Sequence, residues 1–311
     1  MASSDMVQHD IIIIGAGPAG MTAGLYAARA KLNTLLLESV GCGGQSVITD
    51  WIDNYPGFPE GTSGYDLATS MERQARRFGL AIAREEVSLV TQASGGFDVV
   101  TAAGVYHTKT VVIATGATHK KMDVPGEQEL TGKGVSYCAT CDGPFFRGKD
   151  VALIGGGDSA IQEALFLTRF AKTVTVIHRR DALRAAKVLQ EKALSHPAIR
   201  FIWNSRVTSV IGKDQVTAVA LKDTITGAQT QLPVSGVFVF IGLVPNSAFL
   251  NGLIACDTQG YIITDDTMAT NIAGVYACGD IRMKLLRQVV TAAGDGATAA
   301  VAAQHYLESH T

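Results

Sequence analysis

The fold is decided by the stretch Asp10-Ile11-Ile12-Ile13-Ile14-Gly15-Ala16-Gly17-Pro18-Ala19-Gly20. A β-branched run predicts a short strand that enters a glycine-rich turn, and the small residues at 21–30 predict a helix after it. A second buried strand is expected at 34–38, and its last residue, Glu38, stands where such a unit usually carries the carboxylate that holds a ribose. A glycine pattern alone is weak evidence in a chain with 33 glycines. With the strand, the helix and the acidic residue around it, the stretch predicts a dinucleotide site.

The same pattern occurs a second time. A predicted strand at 150–154 leads into Gly155-Gly156-Gly157-Asp158-Ser159-Ala160, followed by an apolar-periodic helix to about residue 170 and a strand at 173–177. We therefore predict an α/β protein with two Rossmann-like nucleotide-binding domains.

A basic cluster replaces the acidic residue at the end of this second unit, formed by His178, Arg179 and Arg180 with Arg184 further on. A carboxylate would hold a free ribose 2′-hydroxyl, whereas guanidinium groups pair with a 2′-phosphate. The cluster therefore predicts NADPH rather than NADH. The alternative is a solvated basic turn, which the position relative to the glycines disfavours.

The order of these segments predicts that one domain is inserted into the other. A buried strand at 111–117 closes the first nucleotide domain, and the segment 118–121 after it is a candidate linker. The segment 242–246, which contains Gly and Pro, is the candidate return linker. The first domain is then discontinuous, 1–117 and 246–311, and the second occupies 118–245. Beyond the return linker, a strand near 274–277 and an alanine-rich helix at 289–306 complete the first domain.

Composition narrows the class of protein. The chain has 311 residues, 47% apolar and 17% charged, which suits about two packed domains. A formal net charge of -2 disfavours nucleic-acid binding. We expect no membrane span, no signal peptide, and a flexible tail before His9. The five cysteines include three scattered singletons, which favours reduced thiols and a cytoplasmic location.

Two further cysteines lie in Cys138-Ala139-Thr140-Cys141-Asp142, between the two glycine loops. A structural zinc site would need two more ligands at comparable spacing, which the chain does not supply, so no metal is expected. An inert disulfide would be unusual in the cytoplasm, and its short loop would contribute little stability. A redox-active dithiol is the favoured interpretation, because two intervening residues permit a reducible disulfide.

The motifs together resemble the bacterial-type, low-molecular-weight thioredoxin reductases, over nearly the whole chain. The resemblance rests on IIIIGAGPAG (11–20), GGQ (43–45), DNYPGF (53–58), VIATGA (112–117), GVSYCATCDGPFFRGK (134–149), GGGDSA (155–160), HRRD (178–181) and GDIRMKLLRQVVTAAGDGATAA (279–300). CATCD followed closely by GGGDSA is much more specific than either motif alone. Departures are minor: Gln162 stands where many relatives have Glu, Met283 occupies an often charged position, and Cys42 lies just before GGQ.

The resemblance implies FAD in the first domain, with its pyrophosphate on the helix that begins near Gly17 and its ribose on Glu38. The other residues it implies at this cofactor are Gly15, Ala16, Pro18, Ala19, Gly20, Gly44, Gln45, Asn54, Ala114, Thr115, Gly116, Gly279, Asp280, Arg287, Gln288 and Val289. Asp280 would bind the ribityl chain, although a simple turn aspartate fits its sequence context too.

The resemblance also implies a reaction. NADPH would reduce FAD, FAD would reduce the disulfide, and the dithiol would reduce oxidised thioredoxin in a homodimeric enzyme. Cys141 would face the flavin, Cys138 would attack the partner disulfide, and Asp142 would carry the proton. Asp142 also fits the sequence of a helix N-cap or first turn.

Three competing functions differ in the electron donor or acceptor. A flavoenzyme using dioxygen or small disulfides would share the dithiol, but an oxygen-using enzyme needs no NADPH and hence no basic cluster. A ferredoxin–NADP⁺ reductase needs no CxxC motif. A non-catalytic redox sensor would be expected to carry an interaction domain, and the sequence shows none.

Overall fold

The computed structural model describes residues 8–49 and 51–310, and its internal contacts divide the chain into two compact units. The first, which we call the host unit, comprises Met1–Thr118 and Val244–Thr311. The second, the inserted unit, comprises His119–Leu243. These limits lie one or two residues from the domain limits expected from the sequence. The flexible tail expected before His9 falls outside the described residues, except for Gln8, which is the first residue of a strand.

The host unit is built on a seven-stranded sheet. Its strands are β1 (Gln8–Ile14), β2 (Thr34–Leu37), β3 (Ala81–Ala83), β4 (Val87–Ala93), β5 (Gly96–Thr101), β6 (Val105–Ile113) and β17 (Val275–Ala277). The order is β3-β2-β1-β6-β5-β4, and β17 also pairs with β6. The pairs around β1 and β17 are parallel, whereas β4, β5 and β6 are joined by antiparallel pairs.

In the described part of the host unit there are three α-helices: α1 (Pro18–Arg29), α2 (Gly64–Arg77) and α6 (Val289–Ser309). Strand β1 is buried on both faces, as expected for a parallel strand covered on each side. Ile11 and Ile13 pack into the core that includes residues of α1 and α6, and Ile12 and Ile14 pack into a second core on the other face. This double burial explains the uninterrupted run of four isoleucines.

The inserted unit contains two sheets. Its strands are β8 (Val135–Ser136), β9 (Asp150–Gly155), β10 (Thr173–Ile177), β11 (Ile199–Ile202), β12 (Ser205–Gly212), β13 (Val216–Asp223), β14 (Gln229–Pro233) and β15 (Gly236–Phe240). A five-stranded parallel sheet has the order β11-β10-β9-β15-β8, and a three-stranded antiparallel sheet has the order β12-β13-β14. Its helices are α3 (Ala139–Asp142), α4 (Asp158–Leu167) and α5 (Lys187–Leu194). Two cores of its own fill this unit.

The two segments that join the units pair with each other. Strand β7 (Ala117–His119) and strand β16 (Leu243–Pro245) form a two-stranded ribbon. Just beyond it, the amide of Lys120 donates to the carbonyl of Gly242 at 2.9 Å. The chain therefore enters and leaves the inserted unit at neighbouring positions.

Local differences from the sequence-based expectation have simple causes. Helix α1 begins at Pro18 rather than Met21, because proline suits the first turn of a helix, where its missing N–H is no loss. Helix α4 ends at Leu167, three residues before the expected end.

Within residues 8–49 and 51–310, none of the helices has the length and apolarity needed to cross a bilayer.

Candidate redox and nucleotide sites

The first glycine loop joins β1 to α1 and leaves no room for side chains on its inner side. Gly15 has φ +102°, and a Cβ added to it would lie 2.5 Å from the carbonyl oxygen of Ala114. A Cβ on Gly20 would overlap the carbonyl oxygen of Gly15. Glycine is therefore required at both positions by backbone contact.

The outer side of the same loop is open. Among residues 8–49 and 51–310, a Cβ on Gly17 would have no neighbour within 4 Å, and no side chain caps α1 at its N-cap residue, Gly17. The first-turn N–H groups of α1 thus lack a side-chain acceptor, unlike those of α2, where Ser63 accepts from the amide of Asp66. An uncapped helix N-terminus beside an open glycine is a suitable site for a phosphate group.

Glu38 lies against this loop. Its carboxylate accepts hydrogen bonds from the amides of Ala16 at 2.7 Å and Val40 at 2.9 Å. These two bonds fix the carboxylate at the end of β2, beside the turn that carries Ala16. The side chain is partly exposed, so its carboxylate can also accept a hydrogen bond from a ribose hydroxyl.

Several other predicted residues of the first site gather at the loop. The amide of Gly43 donates to the carbonyl of Ala16 at 2.7 Å, and a Cβ on Gly44 would lie 3.1 Å from the Cα of Gly17. A Cβ on Gly279 would lie 2.8 Å from the Cβ of Ala19. The segments around Gly44 and Gly279 are therefore brought to the same end of the sheet as the glycine turn.

The remaining predicted residues of the first site are placed by neighbouring segments. Asn54 donates from Nδ2 to Oε1 of Gln288 at 2.9 Å, and Gln288 caps α6 at the residue before Val289. Thr115, which follows Ala114 and precedes Gly116, exchanges two hydrogen bonds with Asn246. Gln45 is exposed on a short 3₁₀ turn.

Asp280 and Arg287 show that polar groups at this end of the host unit lack protein partners. Oδ1 of Asp280 and Nε of Arg287 are buried without a hydrogen-bond partner among the described residues. Burial raises the pKa of Asp280, and the nearby Lys284 and Arg287 oppose that shift. Buried polar atoms are normally paired, so these two suit a bound polar group. With the open glycine turn, they fit a dinucleotide cofactor.

The second glycine loop has the same construction. A Cβ on Gly155 would lie 2.5 Å from the carbonyl oxygen of Phe240, whereas one on Gly157 would meet nothing within 4 Å. Gly157 is the N-cap of α4 and, like Gly17, has no side-chain cap. Ser159 and Ala160 follow in the first turn of that helix, and Ala160 is buried in the core.

The basic cluster is tied to this loop. The amide of Arg184 donates to the carbonyl of Gly156 at 2.7 Å, and Oδ1 of Asp158 accepts from the amide of Ala186 at 2.6 Å. The imidazole of His178 is buried where a Cβ on Gly156 would clash with it, and burial, followed by Arg184, lowers its pKa. His178 is therefore a neutral packing group rather than part of an exposed cation cluster.

Three arginines of the cluster remain available to a ligand. Arg179, Arg180 and Arg184 are exposed, and their guanidinium groups have no hydrogen-bond or ion-pair partner among the described residues. They lie at the end of β10 and in the segment bound to the second glycine loop. This arrangement suits an anion next to the ribose of a nucleotide.

Cys138 and Cys141 form a disulfide with a Cα–Cα distance of 5.3 Å. Cys138 is the N-cap of α3, and its Sγ accepts from the amide of Cys141 at 3.1 Å. Cys141 is exposed, and Cys138 is half-buried. An N–H group directed at a sulfur stabilises a thiolate, which favours Cys138 as the attacking sulfur once the disulfide is open.

Asp142 follows Cys141 and ends α3. Its carboxylate is half-buried on the wall of a cavity of about 200 Å³ that also contacts Lys133, Lys149 and Phe145. Asp142 lies in the first turn of α3, as the alternative interpretation of its sequence expects. It is also the N-cap of the 3₁₀ turn Gly143–Phe146, where its side chain makes no capping hydrogen bond among the described residues. The described residues contain no group of three or more His, Cys, Asp or Glu side chains placed to hold a metal ion.

Sequence reasoning missed two charged residues, Lys284 and Asp295, which are buried beside Asp280. A signal was present for Asp295, since it is a carboxylate within an otherwise apolar, alanine-rich helix. An acidic residue in such a helix usually has a buried partner.

Two Rossmann-type units and a CxxC disulfide in one chain define an oxidoreductase that passes electrons between a nucleotide and sulfur. Residues 9–296 match the family described as pyridine nucleotide-disulphide oxidoreductase, and the chain belongs to that family. The family implies a flavin and a pyridine nucleotide.

Several similar proteins carry the name thioredoxin reductase. The thioredoxin reductase of Treponema pallidum is 48% identical over 301 residues, covering 97% of this chain and 98% of that protein. The bifunctional thioredoxin reductase/thioredoxin of Mycobacterium leprae is 47% identical over 97% of this chain and 66% of its own length. The crystal structure of Lactococcus lactis thioredoxin reductase superposes with a TM-score of 0.95 at 44% identity, over 97% of this chain and 99% of that one. These similarities confirm the predicted fold and the predicted family.

Proposed function

We propose that this protein is an NADPH-dependent thioredoxin reductase that contains FAD. The observation that carries the proposal is the Cys138–Cys141 disulfide, in which Cys141 is exposed. It lies in the same unit as a glycine loop with three arginines that have no partner among the described residues. A dithiol alone would fit many redox proteins. A dithiol in the same unit as a nucleotide loop equipped for a 2′-phosphate points to reduction driven by NADPH.

The two glycine loops divide the nucleotides between the units. We assign FAD to the host unit, where Glu38 offers a carboxylate for a ribose, and Asp280 and Arg287 have unsatisfied buried atoms. We assign NADPH to the inserted unit, where Arg179, Arg180 and Arg184 are free to bind phosphate. When bound, these groups supply the electron pair that opens the disulfide.

The cysteines then act by thiol–disulfide exchange. Cys138 Sγ, as thiolate, attacks one sulfur of the partner disulfide, and the other partner sulfur leaves with the electron pair and takes a proton. Cys141 next attacks the Cys138 sulfur, which re-forms the enzyme disulfide and releases the second partner sulfur. Each cycle converts one partner disulfide into two thiols.

Asp142 is proposed as the group that holds and returns the proton during these steps. It follows Cys141 directly and lines an open cavity, so a proton can pass between its carboxylate and the sulfur atoms or solvent.

A protein is the proposed disulfide substrate because the surface near the cysteines suits one. Phe145 is 73% exposed four residues after Cys141 and shares the cavity wall with Lys133 and Lys149. Aromatic rings are enriched in protein interfaces. The fusion of reductase and thioredoxin in the relative from Mycobacterium leprae supports thioredoxin as that partner.

A cytoplasmic location and a homodimer are part of the same proposal. Cys42, Cys256 and Cys278 are unpaired, as expected in a reducing compartment. Burial raises the pKa of Cys42 to about 11, so its thiol stays protonated and unreactive at neutral pH.

The decisive assay measures reduction of oxidised thioredoxin by the purified yellow protein with NADPH, with NADH, and with dioxygen as the alternative acceptor. We expect thioredoxin reduction with NADPH and at least roughly 100-fold lower efficiency with NADH, since two charge-assisted phosphate contacts are lost. Replacing Arg179 and Arg180 together by Ala should weaken NADPH use and leave NADH use nearly unchanged. Equal losses with both coenzymes would refute the coenzyme assignment, and turnover with oxygen but not thioredoxin would refute the substrate assignment.

A further inference from the structure

Five charged side chains form a partly buried group at the N-terminal end of α6, which we call the Asp280 cluster. Its members are Asp280, Arg282, Lys284, Arg287 and Asp295. The side chains of Lys284, Arg282 and Asp295 are only 8%, 12% and 12% exposed. Three cations and two carboxylates leave this group with one excess positive charge when all are ionised.

Asp295 connects the members of the cluster. Its Oδ2 accepts from Lys284 Nζ at 2.9 Å and from the amide of Gly279 at 3.1 Å, and its Oδ1 accepts from Arg282 at 3.2 Å. A single carboxylate on α6 thus holds the backbone just before Asp280 and two cations after it. Removing it would release all three groups.

Lys284 is placed between the two carboxylates. Its Nζ donates to Asp295 and, at 3.3 Å, to Thr291 Oγ1, and it lies 3.8 Å from Oδ1 of Asp280. Oδ1 of Asp280 has no hydrogen-bond partner among the described residues. The ammonium group is therefore close enough to stabilise the carboxylate charge while leaving this oxygen free to accept a bond from a ligand.

The charged groups that act on Asp280 oppose one another. Burial raises its pKa, Lys284 and then Arg287 lower it, and Asp295 raises it. Of the two cations, Lys284 has the larger effect on Asp280 and lies 3.8 Å from its Oδ1, whereas the guanidinium of Arg287 lies 3.9 Å from the centroid of the Tyr261 ring. Lys284 is thus the principal cation that favours the charged form.

We propose that Lys284 and Asp295 are positioning residues for the flavin site: Lys284 keeps the Asp280 carboxylate ionised, and Asp295 holds Lys284 and the Gly279 backbone in place. The proposal rests on the assignment of FAD to the host unit. It extends that assignment by making the affinity for the cofactor depend on the buried Lys284–Asp295 pair, which acts through Asp280 and Gly279.

The test uses the full-length protein with Lys284→Met, Lys284→Arg and Asp295→Asn, and Lys109→Met as a control. Lys109 pairs with Asp10 at 3.1 Å in a much more exposed bridge of the same unit, so its loss removes a cation without touching the cluster. FAD affinity is measured by fluorescence titration of the apoprotein. We expect roughly tenfold or greater weakening in Lys284→Met and Asp295→Asn, near wild-type affinity in Lys284→Arg, and no change in Lys109→Met.

Infrared difference spectroscopy supplies a readout that a purely structural role would not move. At neutral pH we expect a protonated-carboxyl band in the Lys284→Met apoprotein, absent from wild type and from Lys284→Arg, and removed by adding Asp280→Asn. In the Asp280→Asn background, Lys284→Met should then cost little further FAD affinity, because the charge it serves is gone.

Two results overturn the proposal. One is a Lys284→Met protein with wild-type FAD affinity and no protonated-carboxyl band, and the other is an undiminished loss from Lys284→Met in the Asp280→Asn background. Failure of the wild-type apoprotein to bind FAD would instead refute the cofactor assignment, so the two failures are distinguishable.

Discussion

At the scale of single residues, the two redox sulfurs occupy unequal positions. Cys138 receives the amide N–H of Cys141, whereas Cys141 is the more exposed of the pair. We therefore expect Cys141→Ser, which retains the stabilised Cys138 thiol, to trap a stable mixed disulfide with oxidised thioredoxin. Cys138→Ser should trap much less, and both variants should lose turnover while still binding FAD. Non-reducing electrophoresis with mass spectrometry measures the adduct, and preferential trapping by Cys138→Ser would reverse the assigned roles.

Most residues of the candidate sites could be predicted, because glycines, cysteines and clustered arginines have strong sequence signals. His178 shows the limit of such inference. Its motif suggests a member of the cation cluster, but its imidazole is buried against the position of Gly156 and its pKa is lowered. The sequence predicts that Asp158 lies near the nucleotide. It does not reveal that the Asp158 side chain accepts a hydrogen bond from the amide of Ala186, which is 28 residues away in sequence. Contacts of this kind depend on tertiary packing, which local patterns do not encode.

At the scale of elements, the turn between β1 and α1 contains glycines with different roles. Gly20 is needed for folding, and Gly17 is needed for a ligand. Gly20→Ala places a methyl group on the carbonyl oxygen of Gly15, so we expect it to destabilise the apoprotein by about 1–3 kcal/mol or more. Gly17→Ala meets no atom within 4 Å and should cost the apoprotein less than about 1 kcal/mol. It should nevertheless weaken FAD binding, because its methyl group occupies the open side of the turn.

Thermal unfolding of the two apoproteins and FAD titration measure these effects separately. The pair is a matched control, since both changes add one methyl group within four residues. A Gly17→Ala protein with unchanged FAD affinity would place the pyrophosphate elsewhere. An apoprotein with Gly20→Ala that is as stable as wild type would contradict the packing argument.

Several of the parallel strands were predictable from the sequence, whereas the antiparallel strands β12, β13 and β14 were not. Strands β1, β2, β9 and β10 are buried runs next to glycine turns, a pattern with few alternatives. Strands β12, β13 and β14 are partly exposed and contain many polar residues; β14 has no buried residue. Their stability comes from pairing with each other, so their sequences carry a weaker signal.

At the scale of the whole molecule, each unit has its own cores, and the segments joining them are paired strands. We expect residues 119–243, expressed alone, to unfold cooperatively and to bind 2′,5′-ADP better than 5′-AMP. Residues 1–118 joined to 244–311 by a short glycine-serine link should bind FAD. Calorimetry and ligand titration of both fragments test this expectation. Binding of FAD by the fragment of the inserted unit, or of 2′,5′-ADP by the fragment of the host unit, would reverse the nucleotide assignment.

The host unit is completed by the last part of the chain, since β17 adds to the edge of β6 and α6 packs closely on α1. During synthesis on the ribosome, the segment before Thr118 therefore emerges without the strand and helix that cover it. The inserted unit has all of its residues as soon as Leu243 leaves the exit tunnel. Because domains fold as units, the inserted unit can fold before β17 and α6 have been synthesised, whereas the host unit can be completed only after them.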